Sequence, residues 1–210
     1  FLWQQLAEQF HPLRADFTRI RYISEEFASY SMTGRPFLAH RELTNAISAI
    51  LRPRNQDWFK AETDNEQVNE DKACKAWLQS AGRVMRRVMF DPNAQFTRAT
   101  KEGDGDYILT GNCVIECRRN RVLNGMMYRT WHLRDCVWAE NSELVIDQFH
   151  RKWKVQARAL FKLFPDTVHP DVKKNAVESP FTEINCRVIV LPTDEDDSYG
   201  LTADGAARKR

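Results

Sequence analysis

Two pairs of residues have the types and spacing of metal ligands: Cys113 with Cys117, and His132 with Cys136, each pair separated by three residues. Thiolate and imidazole in paired spacing are the donor set of a tetrahedral zinc site. Such a site would make the chain a small zinc-dependent nucleic-acid-binding module. The intervening residues argue against it. Cys113, Ile115 and Cys117 alternate with Val114, Glu116 and Arg118, which is the period of a strand. At ~3.3 Å per residue the two cysteines then stand about 13 Å apart, too far to grip one ion or to form a disulfide. Zinc sites place paired cysteines on tight knuckles instead, so the sequence favours thiols on a strand face.

Asp104 and Asp106, each following a glycine, have the flavour of a calcium loop, but no further acidic ligand follows at the required positions and no bidentate Glu closes it. Gly103-Asp104-Gly105-Asp106 is poor helix material and reads as a solvated turn or helix end. No phosphate-binding loop, dinucleotide fingerprint, nucleophile elbow or H-E-x-x-H occurs. The five histidines show no partner pattern; a hydrolase would need a polar pocket to gather them. No catalytic, metal or cofactor residue is therefore assigned, and no cofactor is expected.

Three basic clusters remain: Arg83, Arg86 and Arg87; Arg118, Arg119 and Arg121; Arg151, Lys152 and Lys154. Each suits phosphates, a solvated face, or acidic residues on a neighbouring subunit. With 31 Lys+Arg against 29 Asp+Glu the net charge is +2, which exerts no global pull on DNA or membrane. Contact with a polyanion would have to come from local clusters or from repetition in an oligomer.

The elements that must position these groups follow from periodicity. Leu2, Leu6 and Phe10 predict a helix that stops at His11-Pro12. Ala39, Leu43, Ala46, Ile47 and Ile50 mark one face of a second helix that starts near Pro36 and closes before Pro53. The strongest pattern follows Glu70-Asp71: Ala73, Trp77, Ala81, Val84, Met85 and Val88 form a stripe ending beside Arg86 and Arg87. Trp77, Val84, Met85 and Val88 are expected to face the core. Asp91-Pro92 breaks this helix, and another restarts near Asn93.

Beyond Gly111 the period becomes that of strands. Cys113 to Cys117 and Met126 to Thr130 flank an Asn124-Gly125 turn and predict a hairpin. Strands are expected at Val137-Trp138 and from Leu144 to Trp153, with Asn141-Ser142-Glu143 between them. Val155, Ala159 and Leu163 suggest a short helix, Pro170 opens another, and Ile184 to Leu191 forms a last strand. The order gives an α+β fold: a helical N-terminal half with a small, mainly antiparallel sheet carrying inserted short helices. Residues 1–193 form that region. Residues 194–210, with the acidic run Asp194-Glu195-Asp196-Asp197, read as an exposed loop and tail.

Twelve Phe and six Trp give enough apolar surface for an ordinary core. The apolar runs are far too short to span a bilayer. Phe1 to Phe10 lacks a basic leader and a small-residue cleavage site, so a trimmed start is expected, not a signal peptide. Five cysteines at irregular spacing suggest reduced thiols in a cytosolic setting, without a structural disulfide.

Several stretches taken together resemble one protein family. They are Phe10-His11-Pro12-Leu13-Arg14-Ala15-Asp16-Phe17; the helix Leu38 to Leu51 leading to Arg52-Pro53-Arg54 and Asp57-Trp58-Phe59; and Ala76-Trp77-Leu78. The most specific part runs from Ile108-Leu109-Thr110-Gly111-Asn112-Cys113-Val114 through Tyr128-Arg129-Thr130-Trp131-His132-Leu133 to Val137-Trp138-Ala139-Glu140-Asn141. It continues through Val145 to Trp153 and Ala157 to Phe164. In this order they are similar to the head-to-tail connecting, or portal, proteins of short-tailed bacteriophages, with a correspondence reaching Pro192. The chain departs from the family at Gly111-Asn112-Cys113, where a glycine-threonine-glycine turn is usual. It departs again at Gly103 to Asp106, where members have an ordinary helix.

The resemblance implies a non-catalytic virion protein, assembled in the host bacterial cytoplasm as a homo-oligomeric ring, typically a dodecamer, at one capsid vertex. It implies double-stranded DNA, the terminase motor, the capsid and tail adaptor proteins as partners, and no membrane. It also implies that this segment is the outer wing, with stem, clip and crown further along the polypeptide.

Overall fold

The computed structural model describes residues 1–19, 22, 24–25, 32–53, 56–120 and 125–192. The elements that fall within them are α1 (Leu2–Phe10), α2 (Arg35–Leu51), α3 (Glu66–Glu70), α4 (Lys72–Met89), α5 (Phe96–Thr110), β1 (Val114–Arg119), β2 (Met126–Trp131), β3 (Cys136–Glu140), β4 (Ile146–Gln156), α6 (Ala157–Leu163), α7 (Pro170–Glu178) and β5 (Glu183–Val190). The fold is α+β, as expected. Its strands make two antiparallel sheets, β1-β2 and β3-β4-β5, where the sequence suggested one. The chain divides into two compact units, Phe1–Arg134 and Asp135–Arg210. Among the described residues no helix is long and apolar enough to cross a membrane.

In the first unit α1 ends at His11, and Pro12–Arg14 forms a 3₁₀ turn. Ala7, Ala15 and Leu109 are buried together, with Leu6, Phe10 and Phe17 packed around them. A second apolar centre surrounds Phe96 at the start of α5: Trp58 stacks on it at 6.3 Å, and Phe90 and Tyr128 meet it edge-on at 5.3 and 5.0 Å. Asp71 caps α4, its carboxylate accepting from the Ala73 and Cys74 amides. Arg86 and Arg87 in the last turn suit the negative end of the helix dipole. Asp91 caps the Pro92–Ala94 turn in the same way.

The Gly103 to Asp106 segment is not a solvated turn. It is the buried middle of α5. Propensity is overridden because Arg14, His40 and Arg52 hold the segment in place, and Gly103 allows a close approach of β1: a Cβ there would lie 2.9 Å from Ile115 Cδ1, whereas one on Gly105 would meet His40 Cε1 at an ordinary 3.5 Å. The helix ends at Gly111, whose φ of +78° suits a residue without a Cβ. β1 and β2 pair so that Cys117 faces Tyr128 across the hairpin. The expected Asn124-Gly125 turn begins at a residue outside the described ones.

The face marked on α2 lies open, and the α4 stripe departs from its expected place in the core. The buried residues of α2 are His40 and Thr44, packed towards α5, while Ala39, Leu43, Ala46 and Ile50 face solvent. On α4, Trp77 is 69% exposed, and Val84, Met85 and Val88 are exposed too. The reason is positional. The α4 side carrying Leu78 and Gly82 lies along Phe59 and Ala61, so the expected core stripe points away from the chain's own packing.

In the second unit β4 is the central strand, paired with β3 from Cys136↔Arg151 to Glu140↔Ile146 and with β5 from Phe149↔Val190 to Gln156↔Glu183. Asn141 closes the β3–β4 connection, its side-chain carbonyl accepting from the Glu143 and Val145 amides. Val155 belongs to β4, so α6 begins two residues later than its periodicity suggested, at Ala157. Ala157 and Leu160 are buried.

Candidate interaction surfaces

The four zinc-type residues do not form one cluster. Cys113 lies just before β1 and Cys117 within it, both exposed, while Cys136 is a buried residue of β3 in the second unit. Burial pushes the Cys136 thiol up to about 11, which disfavours the thiolate a metal needs. Both nitrogens of His132 are engaged. Nδ1 accepts from the Arg134 amide at 3.0 Å, and Nε2–H faces the Arg14 carbonyl at 3.1 Å and the Asp16 carboxylate at 2.7 Å. Burial holds the His132 pKa below its ordinary value, more than Asp16 can offset. Among the described residues no group of three or more His, Cys, Asp or Glu is placed to hold a metal.

Asp104 and Asp106 serve as ion-pair partners instead. Asp104 takes Arg52 and the Ser48 hydroxyl, both from the end of α2. Asp106, 5% exposed, lies 3.0 Å from Arg14. Beside them His40 donates from Nε2 to the Gly105 carbonyl at 3.0 Å, and the His11 ring lies 5.1 Å from that of His40. Burial, then the neighbouring His40, Arg14 and His132, lower the His11 pKa to about 4. Burial raises Asp106 to about 6 against the pull of Arg14. This polar lattice ties α1, α2 and α5 together, and a cavity of about 490 Å³ opens beside it between Phe10, Phe37 and Lys101. Its geometry is structural: every named group has a protein partner, and no nucleophile joins a base. No local pattern announces it, because His11 and Arg14, His40 and Arg52, and Asp104 and Asp106 come from three distant parts of the chain. Their one available signal was a pair of acids separated by glycine in a segment otherwise hard to place.

The basic clusters are dispersed by the fold. On α4, Arg86 pairs with Asp57, Arg83 lines a groove of about 450 Å³ beside Phe59 and Lys60, and Arg87 is exposed. Arg118 and Arg119 are exposed at successive positions of β1, so they point to opposite faces of the hairpin. Arg121 lies outside the described residues. Arg151 is a correction to the third cluster: it is 7% exposed, with its guanidinium 5.4 Å from the Trp153 ring, because alternation turns it to the covered face of β4. Lys152 and Lys154 stay on the open face, Lys152 directly across from Arg187 and Lys154 3.8 Å from Glu183. Apolar side chains also stand open along α2 and α4; the periodicity marks both faces, and the α4 stripe is the one expected in the core.

A family model described as bacteriophage head to tail connecting protein matches residues 2–207. No curated protein matches the chain.

Proposed function

Because the chain belongs to the bacteriophage head to tail connecting protein family, a structural component of the virion, we propose that its copies close into a ring, a dodecamer, at one capsid vertex. Double-stranded DNA is packaged and later ejected through that ring. The observation that carries the reading is the open Trp77, Val84, Met85 and Val88 face on the most strongly amphipathic of the longer helices. A contiguous apolar stripe in water marks a protein–protein surface, and a second copy of the same chain is the partner that ring formation supplies.

The ring has no catalytic task; force for DNA movement comes from a terminase motor docked to it, while capsid and tail adaptor proteins hold it in place. The protein assembles in the host bacterial cytoplasm before entering the virion. A conduit must hold a duplex of any sequence without gripping it, so its contacts are to phosphates and few per subunit. Arg83, Arg87, Arg118, Lys152 and Lys154 are exposed and suit this use, since repetition around a ring multiplies one cation per copy into a band. Negative-stain imaging of the intact protein tests the proposal. Annular particles with an open centre support it, whereas single compact particles at every concentration oppose it.

A further inference from the structure

Where α1, α2 and α5 meet, a cavity of about 490 Å³ stays open to solvent. Phe10 and Phe37 supply apolar lining, and His40 and Thr44 of α2 add polar lining beside Gly105 of α5. His40 is itself buried, 8% exposed. Its Nε2 donates to the Gly105 carbonyl at 3.0 Å, which leaves Nδ1 of the neutral ring as an acceptor. That nitrogen has no hydrogen-bond partner among the described residues. A buried imidazole with a spare acceptor on a cavity lining is matched by a donor from outside the chain.

The charges on the lining are cationic once internal pairs are set aside. Arg14 is held by Asp106, and Glu102 by Arg98. Arg41 and Lys101 also line the cavity, are exposed, and have no ion partner among the described residues. Glu42 follows Arg41 on α2 but lies about 100° further round the helix, off the cavity lining. A small-molecule pocket encloses most of its ligand's surface, whereas this open cavity would leave a free molecule part in water. A polypeptide covers the mouth with its own neighbouring residues. We infer that the cavity receives a tyrosine or tryptophan side chain of a partner polypeptide, its O–H or N–H donated to His40 Nδ1, with a neighbouring Asp or Glu carboxylate on Arg41 and Lys101. The aromatic walls of Phe10 and Phe37 suit such a ring, which loses little conformational freedom when it seats as an anchor. The site is separate from the α4 face and holds whether or not the copies close into a ring.

Capped dipeptides separate the two halves of the site. Saturation-transfer NMR on the intact protein should detect acetyl-Asp-Tyr-amide through its ring protons. Its Kd should be about fivefold lower than that of acetyl-Asn-Tyr-amide, which lacks the charge, and about fivefold lower than that of acetyl-Asp-Phe-amide, which lacks the donor. Arg41→Gln together with Lys101→Gln should abolish the preference for Asp over Asn and leave the preference for Tyr over Phe. Both residues are exposed, so the double variant should keep its thermal melt. Absence of binding, equal affinity for Asp and Asn or for Tyr and Phe, or a preference for Asp that survives the double exchange would overturn the assignment. Tighter binding of free 4-hydroxyphenylacetate than of the Asp-Tyr peptide would overturn a polypeptide as the occupant.

Discussion

The Arg14 guanidinium lies 3.0 Å from the Asp106 carboxylate and fixes the turn after α1 to the middle of α5. Asp106 is almost fully enclosed, so truncating its partner strands a carboxylate in a dry site. Arg14→Met should cost about 3 kcal/mol at pH 7 in a denaturant melt. The cost should shrink below pH 6, where Asp106 takes up a proton. An equal loss at pH 5 and pH 7 would show that packing, not charge, accounts for it.

His11 and Asp106 should make opposite contributions to the pH dependence of stability. The His11 pKa is lowered to about 4, so between pH 4 and 6.5 the unfolded chain binds the extra proton and stability rises with pH. The Asp106 pKa is raised to about 6, so between pH 4 and 6 the folded chain binds the extra proton and stability falls with pH. Relative to the unsubstituted protein, His11→Gln should gain about 2 kcal/mol as pH drops through its window, after allowance for solvent screening. Asp106→Asn should gain a similar amount as pH rises from 4 to 6. Melts of the three proteins across pH 4 to 7 check both signs.

The two buried glycines of α5 should respond differently to a methyl group. At Gly105 the added Cβ meets His40 Cε1 at 3.5 Å, an ordinary contact, so Gly105→Ala should be neutral or stabilise by up to about 1 kcal/mol through helix propensity. At Gly103 it would meet Ile115 Cδ1 at 2.9 Å, so Gly103→Ala should be about 1 kcal/mol the less stable of the two. Thermal melts giving the reverse order would place the close approach wrongly.

These same residues mark what the sequence could tell. Caps and breakers acted locally and were readable: His11-Pro12, Asp71 and Asp91-Pro92 stand at the boundaries their chemistry predicts. The alternation of β1 and β2 was equally plain. Gly103 to Asp106 was misread because its helix is stabilised by distant partners, Arg14, Arg52, Ser48 and His40, and propensity knows nothing of them. The α2 face was marked without being assigned, and the α4 stripe was found correctly but assigned wrongly. Periodicity reveals an apolar face, but whether it meets the same chain or another is decided by what lies across from it.

Trp77→Ala should therefore change the stability of the unassembled chain by less than about 1 kcal/mol, as for an exposed side chain. A fully enclosed Trp would cost roughly 3–5 kcal/mol. A chemical melt under dissociating conditions distinguishes the two, and a large loss would return the face to the core.

DNA binding should be weak and indifferent to sequence. The isolated 210-residue chain, at a net +2, should hold two unrelated duplexes equally and release both as salt rises to physiological strength. Tight binding that tells the two apart and survives salt would favour a nucleic-acid-binding module over a conduit.

A ring of twelve copies is read from the native mass of the intact protein. One discrete species of twelve times the polypeptide mass is expected, lost when the α4 stripe is made polar by Trp77→Lys together with Val84→Lys. A monomer or dimer persisting across the accessible concentration range, with the stripe still apolar and exposed, would contradict it.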